Sequence, residues 1–365
     1  MLFGKGRPLI ALDIGSYSIK LAQIKQSGKG YELLNYGMIM LPPDTLMDGE
    51  IDNPDAIAEA IRNLIKSEKL KNKNIVLGLS GQSVIIKKIS VPIMSEDDLA
   101  EMIREEAEQY IPFDIEEVNL DFQIIKSEGD IPEGKVEGEA DSEEDEKQMD
   151  VLIVAARKDT IQVLIDVAKE VGLKVRVVDL SVFALENAFE INNELEMDAS
   201  IALVNIGASM TNVNILENGI TAYSKDLAVG GHTITELIQK NLSIGFSDAE
   251  KLKLGNLFES FTKADVIPHV KTGVKNICDE LENTFNAFAK LSNYKVSKVF
   301  LNGGTCQLDG IDTLIQEHLG IEVEIMNAFR NVYYNQKIFD PEYIESMATV
   351  AAIPVGLALR MAKDK

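Results

Sequence analysis

The chain has 365 residues, of which 45% are hydrophobic, so it can form two or more domains with sizeable cores. Its formal net charge is -23 at pH 7, and residues 127–150 contribute -9 of it, because they contain 11 acidic and 2 basic residues. Since nucleic acids are bound through basic patches, this balance excludes a nucleic-acid-binding protein.

Cysteine usage and hydropathy indicate where the protein works. Cys278 and Cys306 are the only cysteines, and their spacing does not suit a metal site, which fits a reducing compartment. No apolar run has membrane-spanning length, and residues 1–8 lack the apolar segment of a signal peptide. The sequence therefore predicts a cytoplasmic protein that reaches a membrane only through its partners.

Close to the start of the chain, two alternating apolar runs flank a bend of small residues, a pattern typical of a β-hairpin. Gly15 lets the backbone approach a ligand closely, and the hydroxyls of Ser16 and Ser18, with the amides of the turn, offer donors to an anion. Lys20 supplies a positive charge, whereas Asp13 is suited to hold a hydrated cation. The bend is therefore a candidate phosphate site.

Residues 200–217 repeat this pattern about half a chain later. When Asn205 is aligned with Asp13, Gly207 falls on Gly15, and the apolar positions that follow stay in register. Two matching hairpins imply two similar half-molecules that face one nucleotide from opposite sides. The alternative is a pair of ordinary hairpin turns.

Hydrophobic periodicity and turn residues predict the remaining elements. Strands are predicted at 31–41, 74–80, 83–92, 118–126, 150–156, 174–179, 223–229 and 296–302. Helices are predicted at 54–65, 95–110, 160–171, 179–192, 274–291 and 346–361, and two more are predicted to begin at about 233 and at 247. In the helix at 274–291, Leu291 is predicted to lie on the buried side. This order predicts an α/β protein with mixed sheets covered by helices.

The predicted elements divide the chain into two lobes with an insertion. The expected parts are a first lobe at 1–81, a connecting helix at 179–199, a second lobe at 200–345 and a C-terminal helix at 346–365 that returns to the first lobe. A small α/β subdomain, residues 82–178, is inserted in the first lobe. Within it, residues 127–150 contain too few apolar side chains to offset the entropy of ordering, which predicts a disordered loop.

Three further motifs lie in the second half. Gly230 and Gly231 precede a helix whose N-terminus could face phosphate oxygens. Glu250 and Lys253 lie three residues apart on one helix face, either as a surface ion pair or as a contact to ribose or base. Residues 303–305 end a strand with two glycines, where the backbone can lie close to a ligand.

The helix predicted at 95–110 ends at Pro112 in a cluster of aromatic and apolar residues. These residues are Tyr110, Ile111, Phe113 and Ile115. They are either part of a core or the lining of a groove for a partner.

With these motifs in place, the chain resembles the actin-like ATPase superfamily and, within it, the PilM family of type IV pilus assembly. The superfamily motifs correspond to residues 12–20, 179–188, 205–211, 301–305 and 348–360, with Glu250 and Lys253 as the ribose-contacting pair. The closer similarity to the PilM family lies at residues 108–118, 230–235 and 355–360. The insertion and the lack of a C-terminal amphipathic helix favour this family over the related division protein FtsA.

The resemblance implies a two-lobed actin-like fold of duplicated RNase H-like domains, with ATP and Mg2+ bound between the lobes. It also implies that the inserted subdomain and the first lobe bind the N-terminal cytoplasmic peptide of the inner-membrane protein PilN. Other implied partners are the inner-membrane and motor proteins of the pilus, and the resemblance allows a homo-oligomer. The protein would then be peripheral at the inner membrane.

The resemblance also implies a set of nucleotide-binding residues. They are Asp13, which would also bind the metal, Gly15, Ser16, Tyr17, Ser18, Lys20, Asn205, Gly207, Ala208, Ser209, Thr211, Gly230, Gly231, Glu250, Lys253, Gly303, Gly304, Thr305 and Gly356. No catalytic residue is assigned, because no spare histidine or carboxylate in these loops is an obvious base.

Asn205 departs from the family pattern, which usually has aspartate at this position. Losing that carboxylate weakens the case for hydrolysis more than the case for binding, because a carboxylate can orient metal-bound water. We therefore expect a nucleotide-gated scaffold with slow or absent hydrolysis. The alternatives are a brisk ATPase or small-molecule kinase of the same fold, and an FtsA-like or filament-forming actin-like ATPase.

Overall fold

The computed structural model describes residues 8–28, 30–47, 49–126, 148–194, 199–258, 261–292 and 294–361. The chain divides into a large unit, residues 1–82 with 162–365, and a small unit, residues 83–161. Residues 127–147 of the predicted acidic loop and the last four residues of the predicted C-terminal helix lie outside the described ranges. Within these ranges, no helix combines the length and apolar composition that a membrane span requires.

The first half of the large unit is built on a six-stranded sheet. In spatial order its strands are β10 (Lys174–Leu180), β6 (Asn74–Leu79), β1 (Ile10–Ile14), β2 (Ser18–Ser27), β3 (Gly30–Met40) and β16 (Val332–Tyr334). Strands β1, β2 and β3 are antiparallel neighbours, whereas β6 and β10 run parallel to β1. The short strands β4 (Leu46–Met47) and β5 (Glu50–Ile51) pair with each other before helix α1 (Pro54–Ser67).

The second half repeats this arrangement on a five-stranded sheet. Its strands, in order, are β13 (Ile220–Leu227), β12 (Thr211–Glu217), β11 (Ser200–Ile206), β14 (Val296–Asn302) and β15 (Glu322–Ile325). Strands β11, β12 and β13 are antiparallel, and β14 and β15 run parallel to β11. The helices of this half are α5 (Gly231–Leu242), α6 (Phe246–Lys253), α7 (Lys263–Leu291) and α8 (Ile311–Leu319). The predicted duplication is therefore confirmed by strand order and direction.

The two hairpins also share their register. Asp13 pairs with Lys20 in the first hairpin and Asn205 with Asn212 in the second, in each case one residue pair before the bend. The alignment of Asp13 with Asn205 that the sequence predicts is the alignment found in the two sheets.

Two helices join the halves through a shared hydrophobic core. Helices α4 (Ser181–Asn192) and α10 (Ala352–Leu357) pack on each other, and their buried side chains belong to one cluster with residues of both sheets. Such a cluster excludes water from both helices and stabilises the large unit. A second core lies in the second half, among the buried residues of β11, β14 and α7.

The prediction of one long C-terminal helix was wrong over residues 346–361. The structure has two short helices, α9 (Pro341–Met347) and α10, with a break between them. In the break, the carbonyl of Thr349 accepts hydrogen bonds from the Gly303 backbone and the Asn302 side chain, so it does not continue a helix. Pro354 lies in the first turn of α10, where a missing N–H is tolerated.

Leu291 was also predicted incorrectly. Its side chain is 71% exposed, because it is the last residue of α7 and lies beyond the buried stripe that includes Phe285 and Phe288. Hydrophobic spacing continues to the helix end, but the neighbouring elements do not cover that end.

The small unit is a three-stranded antiparallel sheet with one helix on it. Its strands, in order, are β7 (Val84–Pro92), β9 (Gln148–Arg157) and β8 (Val118–Lys126), and helix α2 (Glu96–Ala107) begins after the capping residue Ser95. Helix α3 (Lys158–Glu170) leads out of the unit. The unit ends near residue 161 rather than 178, because β10 pairs with β6 of the large unit.

The cluster predicted after α2 is divided between core and surface. Ile111 is buried in the core of the small unit, and Phe113 and Ile115 pack against that core. Tyr110 is 41% exposed, and the Lys87 ammonium lies 5.9 Å from the centre of its ring. Tyr110 is therefore the member of the cluster that a partner could reach.

Candidate functional site

The first bend carries a close pair of opposite charges. Lys20 Nζ lies 3.1 Å from Asp13 Oδ2, and the Asp13 side chain is only 12% exposed, so the ammonium offsets the cost of burying the carboxylate. The Gly15 N–H donates to the Ser18 carbonyl over 3.1 Å and closes the bend. Ser16 is half-buried at the tip. The bend thus presents a carboxylate, an ammonium and a hydroxyl together.

The second bend is closed in the same way. The Gly207 N–H donates to the Met210 carbonyl over 2.9 Å, and Ala208 and Ser209 lie half-buried between them. Thr211 is buried, and its hydroxyl donates to a backbone carbonyl just beyond β13 over 2.8 Å. Thr211 therefore anchors the bend, whereas Ala208 and Ser209 form its tip.

The start of helix α5 is packed against the second bend. The N–H of Gly231 donates to the Gly207 carbonyl over 3.0 Å, and the N–H of His232 donates to the Ala208 carbonyl over 2.8 Å. A Cβ on Gly230 would lie 2.6 Å from the Ala208 carbonyl oxygen, which explains why a glycine is needed there. In this structure the amides of Gly231 and His232 donate to the second bend, and the role of this helix N-terminus towards phosphate oxygens stays a prediction.

Glu250 and Lys253 form a buried pair rather than a surface one. Lys253 Nζ donates to Glu250 Oε2 at 2.7 Å, to Thr235 Oγ1 at 3.0 Å and to the Gly231 carbonyl at 3.2 Å. The Lys253 side chain is 5% exposed, and burial lowers its pKa. These three bonds use all three N–H donors of the ammonium. Since two of them reach Thr235 and Gly231 of α5, Lys253 holds α6 to α5.

The segment after β14 completes this side of the site. Gly303 has a φ of +105°, and a Cβ on it would lie 2.4 Å from the Ile206 carbonyl oxygen. The Thr305 hydroxyl donates to the Gly207 carbonyl over 2.8 Å and so ties the segment to the second bend. A Cβ on Gly304 would meet no atom within 4 Å, so Gly304 faces open space.

The first and second halves meet beside these bends. Burial and, to a smaller extent, the negative charge of Glu250 raise the pKa of Tyr17, at the tip of the first bend. The backbone N–H of Gly81, which follows β6, donates to Asp226 Oδ2 of β13 over 2.7 Å. We refer to the region between the two bends, α6 and the segment after β14 as the cleft.

A family comparison decides which protein family has this arrangement. The family of type IV pilus assembly proteins PilM matches residues 11–362. The chain belongs to the PilM family. The match includes both bends, both connecting helices and the small unit.

Comparisons with individual proteins agree with this assignment. The chain is similar to a solved structure described as the PilM-PilN type IV pilus biogenesis complex, with a TM-score of 0.82, 26% identity and coverage of 98% of this chain and 99% of that chain. It is 23% identical to the cell division protein FtsA of Staphylococcus epidermidis over 94% of this chain and 78% of that protein. It also shares its fold with MreB 5 of Spiroplasma citri bound to AMPPNP, with a TM-score of 0.51, 14% identity and coverage of 97% and 95%. The predicted actin-like fold and family are confirmed.

The polar side chains of the PilM-family cleft suit a nucleotide with Mg2+ better than a metal ion held by protein side chains alone. No cluster of three or more His, Cys, Asp or Glu side chains that could hold an ion exists within the described residues. Asp13 is a single carboxylate, and Mg2+ is commonly held by one or two carboxylates, water and substrate phosphates. Lys20 adds a cation, and the open space at Gly304 leaves room for a ligand. ATP bound here would supply the phosphates that complete the coordination of the ion.

Gly356 lies apart from the bends. It is buried in α10, and a Cβ on it would lie 1.7 Å from the Ala184 carbonyl oxygen of α4. Its small size is therefore explained by the contact between the two connecting helices, and its role as a ligand contact stays a prediction.

Three cleft residues were missed by the sequence reasoning: Asn212, Asp226 and His232. Asp226 accepts hydrogen bonds from Asn212 and Gly81, and burial raises its pKa. His232 Nδ1 lies 3.3 Å from Ser209 Oγ, and burial, then Lys253, lower the pKa of the imidazole. The signals were a carboxylate in the predicted strand at 223–229 and a histidine directly after the glycine pair. A histidine and a carboxylate are thus present beside the second bend.

Proposed function

We propose that this PilM-family protein binds ATP with Mg2+ in the cleft and uses occupancy of the cleft to set the shape of a partner-binding surface. The supporting observation is that the two bends have equivalent register and lie in halves that are in contact beside the second bend, through the hydrogen bond from Gly81 to Asp226. The AMPPNP of the MreB 5 structure, which has the same fold, is consistent with a nucleotide in this chain.

In the proposed complex, Asp13 holds Mg2+ through water and Lys20 neutralises phosphate charge. Both side chains are already at the bend, so binding replaces the contact between them with contacts to the ligand. Hydrolysis is slow or absent in this proposal, because Asn205 provides a neutral amide where the family usually has a carboxylate. The protein then acts as a nucleotide-dependent scaffold rather than as a rapid enzyme.

The partner in this proposal is the N-terminal cytoplasmic peptide of a PilN-like inner-membrane protein. The support is the similarity to the PilM-PilN complex, which extends over nearly the whole of both chains. The protein would then be cytoplasmic, peripheral at the inner membrane, and would link the membrane platform to the pilus motor.

Calorimetric titration with ATP tests the nucleotide part of this proposal. Asp13→Ala is expected to lower affinity for ATP in the presence of Mg2+ by about tenfold or more, because it removes the only carboxylate of the first bend. The affinity for ATP measured in the absence of Mg2+ should change less. Asp166→Ala, at an exposed carboxylate on α3, is the control. Equal affinity of Asp13→Ala and the unmodified protein would reject the assigned cleft.

Hydrogen exchange tests the partner part. A synthetic PilN-like N-terminal peptide is expected to slow amide exchange in residues 110–115 and in the first half, because Tyr110 is the exposed member of that cluster. A peptide with the same residues in scrambled order is the control. Protection confined to the second half would contradict this placement.

A further inference from the structure

Three polar side chains on neighbouring strands form a hydrogen-bonded chain that ends at the second bend. Asn205 Nδ2 donates to Asn212 Oδ1 at 2.9 Å, and Asn212 Nδ2 donates to Asp226 Oδ1 at 2.7 Å. The backbone N–H of Gly81 donates to the other oxygen, Asp226 Oδ2, at 2.7 Å. Asn205, Asn212 and Asp226 are paired positions of β11, β12 and β13, so the sheet itself aligns them.

Asp226 fixes the direction of this chain. An ionised carboxylate only accepts hydrogen bonds, whereas an asparagine amide has one donating and one accepting end. Asn212 must therefore turn its nitrogen towards Asp226 and its oxygen towards Asn205. Asn205 must in turn present its nitrogen to Asn212. The orientation of both amides follows from the carboxylate at the far end.

The remaining oxygen of Asn205 is the one directed to the cleft segments. Asn205 Oδ1 lies beside Gly303, since a Cβ on that glycine would be 2.8 Å from it. Gly303 is followed by Gly304, which faces open space. An acceptor is therefore present where the family usually has an aspartate oxygen.

We infer that Asp226 is a positioning residue that, through Asn212, makes Asn205 present an oxygen rather than an amide nitrogen to the bound nucleotide and its Mg2+. This inference rests on the proposed nucleotide-binding function and extends it to the orientation of one side chain. The oxygen of Asn205 would then accept a hydrogen bond from water bound to the cation, so the site keeps an acceptor although the carboxylate lies two strands away.

Asp226→Asn tests the direction of the chain. The amide introduced at position 226 would accept from Gly81 through its oxygen and donate to Asn212 through its nitrogen, so that Asn212 would turn round. Asn212 would then donate to the Asn205 oxygen, leaving the Asn205 nitrogen facing the cleft. The variant should bind ATP with Mg2+ about tenfold more weakly, with a smaller change in the absence of Mg2+.

A second substitution restores the acceptor. When Asn205→Asp is combined with Asp226→Asn, the carboxylate introduced at position 205 accepts from Asn212 and offers its second oxygen to the cleft. Asn205→Asp alone, by contrast, sets a carboxylate against the Asn212 oxygen, which Asp226 holds in place. The single variant should have a lower melting temperature than the unmodified protein, whereas the same change should be neutral or stabilising when residue 226 is asparagine.

The experiment compares the unmodified protein, both single variants and the double variant. Each is titrated calorimetrically with ATP, with and without Mg2+, and melted without nucleotide. Asp166→Asn, at an exposed position on α3, is the control for the loss of one charge. The inference predicts that the double variant regains affinity to within about threefold of the unmodified protein.

Equal affinities of Asp226→Asn and the double variant, or a stability effect of Asn205→Asp that does not depend on residue 226, would overturn the inference. If the unmodified protein binds no ATP, the proposed function fails. The melting temperatures of the four proteins without nucleotide still decide whether Asp226 orients the amides. The two failures are therefore distinguishable.

Discussion

At the scale of single residues, the glycines of the cleft differ in what the fold requires of them. A Cβ on Gly303 or Gly230 would lie within 2.6 Å of a backbone oxygen. A Cβ on Gly15 would lie 3.5 Å from the Ser18 carbonyl oxygen, which is an ordinary contact. The fold alone therefore does not require a glycine at position 15, whereas the proposed close approach of a phosphate to the backbone would.

Gly15→Ala is therefore expected to separate ligand binding from folding. The added methyl group should lower ATP affinity about tenfold or more and leave the melting temperature nearly unchanged. Gly28→Ala is a matched control, because a Cβ there meets no atom within 4 Å and Gly28 follows the end of β2 that is remote from the bend. Calorimetry and thermal melting check both variants, and full ATP affinity in Gly15→Ala would contradict a phosphate at this bend.

Glu186 on α4 couples stability to pH. Its Oε2 accepts from Thr221 Oγ1 at 2.6 Å and from Asn214 Nδ2 at 3.3 Å, and burial, with a smaller effect of Glu190, raises its pKa to about 7. Because the folded-state pKa is above the usual value of 4.5, the folded protein binds this proton more tightly than the unfolded chain. The resulting stability is complete below pH 4.5 and is lost as the pH rises through about 7.

Glu186→Gln keeps an acceptor oxygen and removes the buried charge. We expect it to raise the free energy of unfolding by roughly 2 to 3 kcal/mol at about pH 8 and to have little effect at about pH 4. Urea unfolding across this range measures the difference. Glu236→Gln, at an exposed position on α5, is the control. A stability difference that does not vary with pH would show that the pKa of Glu186 is the same in the folded protein and in the unfolded chain.

At the scale of elements, the contact between α4 and α10 has no space for a larger side chain. A Cβ on Gly356 would overlap the Ala184 carbonyl group, with all three of its nearest atoms within 2.9 Å. Gly356→Ala must therefore push the two helices apart and open the core that joins the halves. We expect a loss of about 3 kcal/mol or more in denaturant unfolding, against almost none for Gly28→Ala. A stable Gly356→Ala variant would mean that these helices are not closely packed.

Sequence patterns predicted the elements well where local signals were strong. Strands β8 and β14 have the predicted bounds, and the hairpin register was correct, since period-two alternation and small-residue turns are local features. The C-terminal helix was wrong because Gly303, far away in the sequence, binds the Thr349 carbonyl. The hydrophobic periodicity of residues 346–361 carries no signal of such a long-range contact.

The site was predicted only in part, because sequence patterns are local and the contacts that bury its side chains are not. Strand ends and glycines marked both bends, whereas the burial of Glu250 and Lys253 depends on α5, which packs over them. Asp226 was missed because its importance arises from pairing with Asn212 on the neighbouring strand. A sequence pattern shows that a side chain is polar, but not which partner the sheet places beside it.

At the scale of the whole molecule, duplication explains how one cleft receives two bends. Each half supplies an antiparallel hairpin with a parallel strand beside it, and α4 and α10 join the halves in one core. A nucleotide that contacts both bends would link the two halves and so favour one arrangement of them. Partner binding could then depend on occupancy without rapid hydrolysis.

A crystal structure of the protein with a non-hydrolysable ATP analogue and Mg2+ tests this account most directly. We predict that the phosphate oxygens lie within hydrogen-bonding distance of both the first bend, at Asp13 to Lys20, and the second bend, at Asn205 to Thr211. A nucleotide bound to one bend alone, or outside the cleft, would contradict the account.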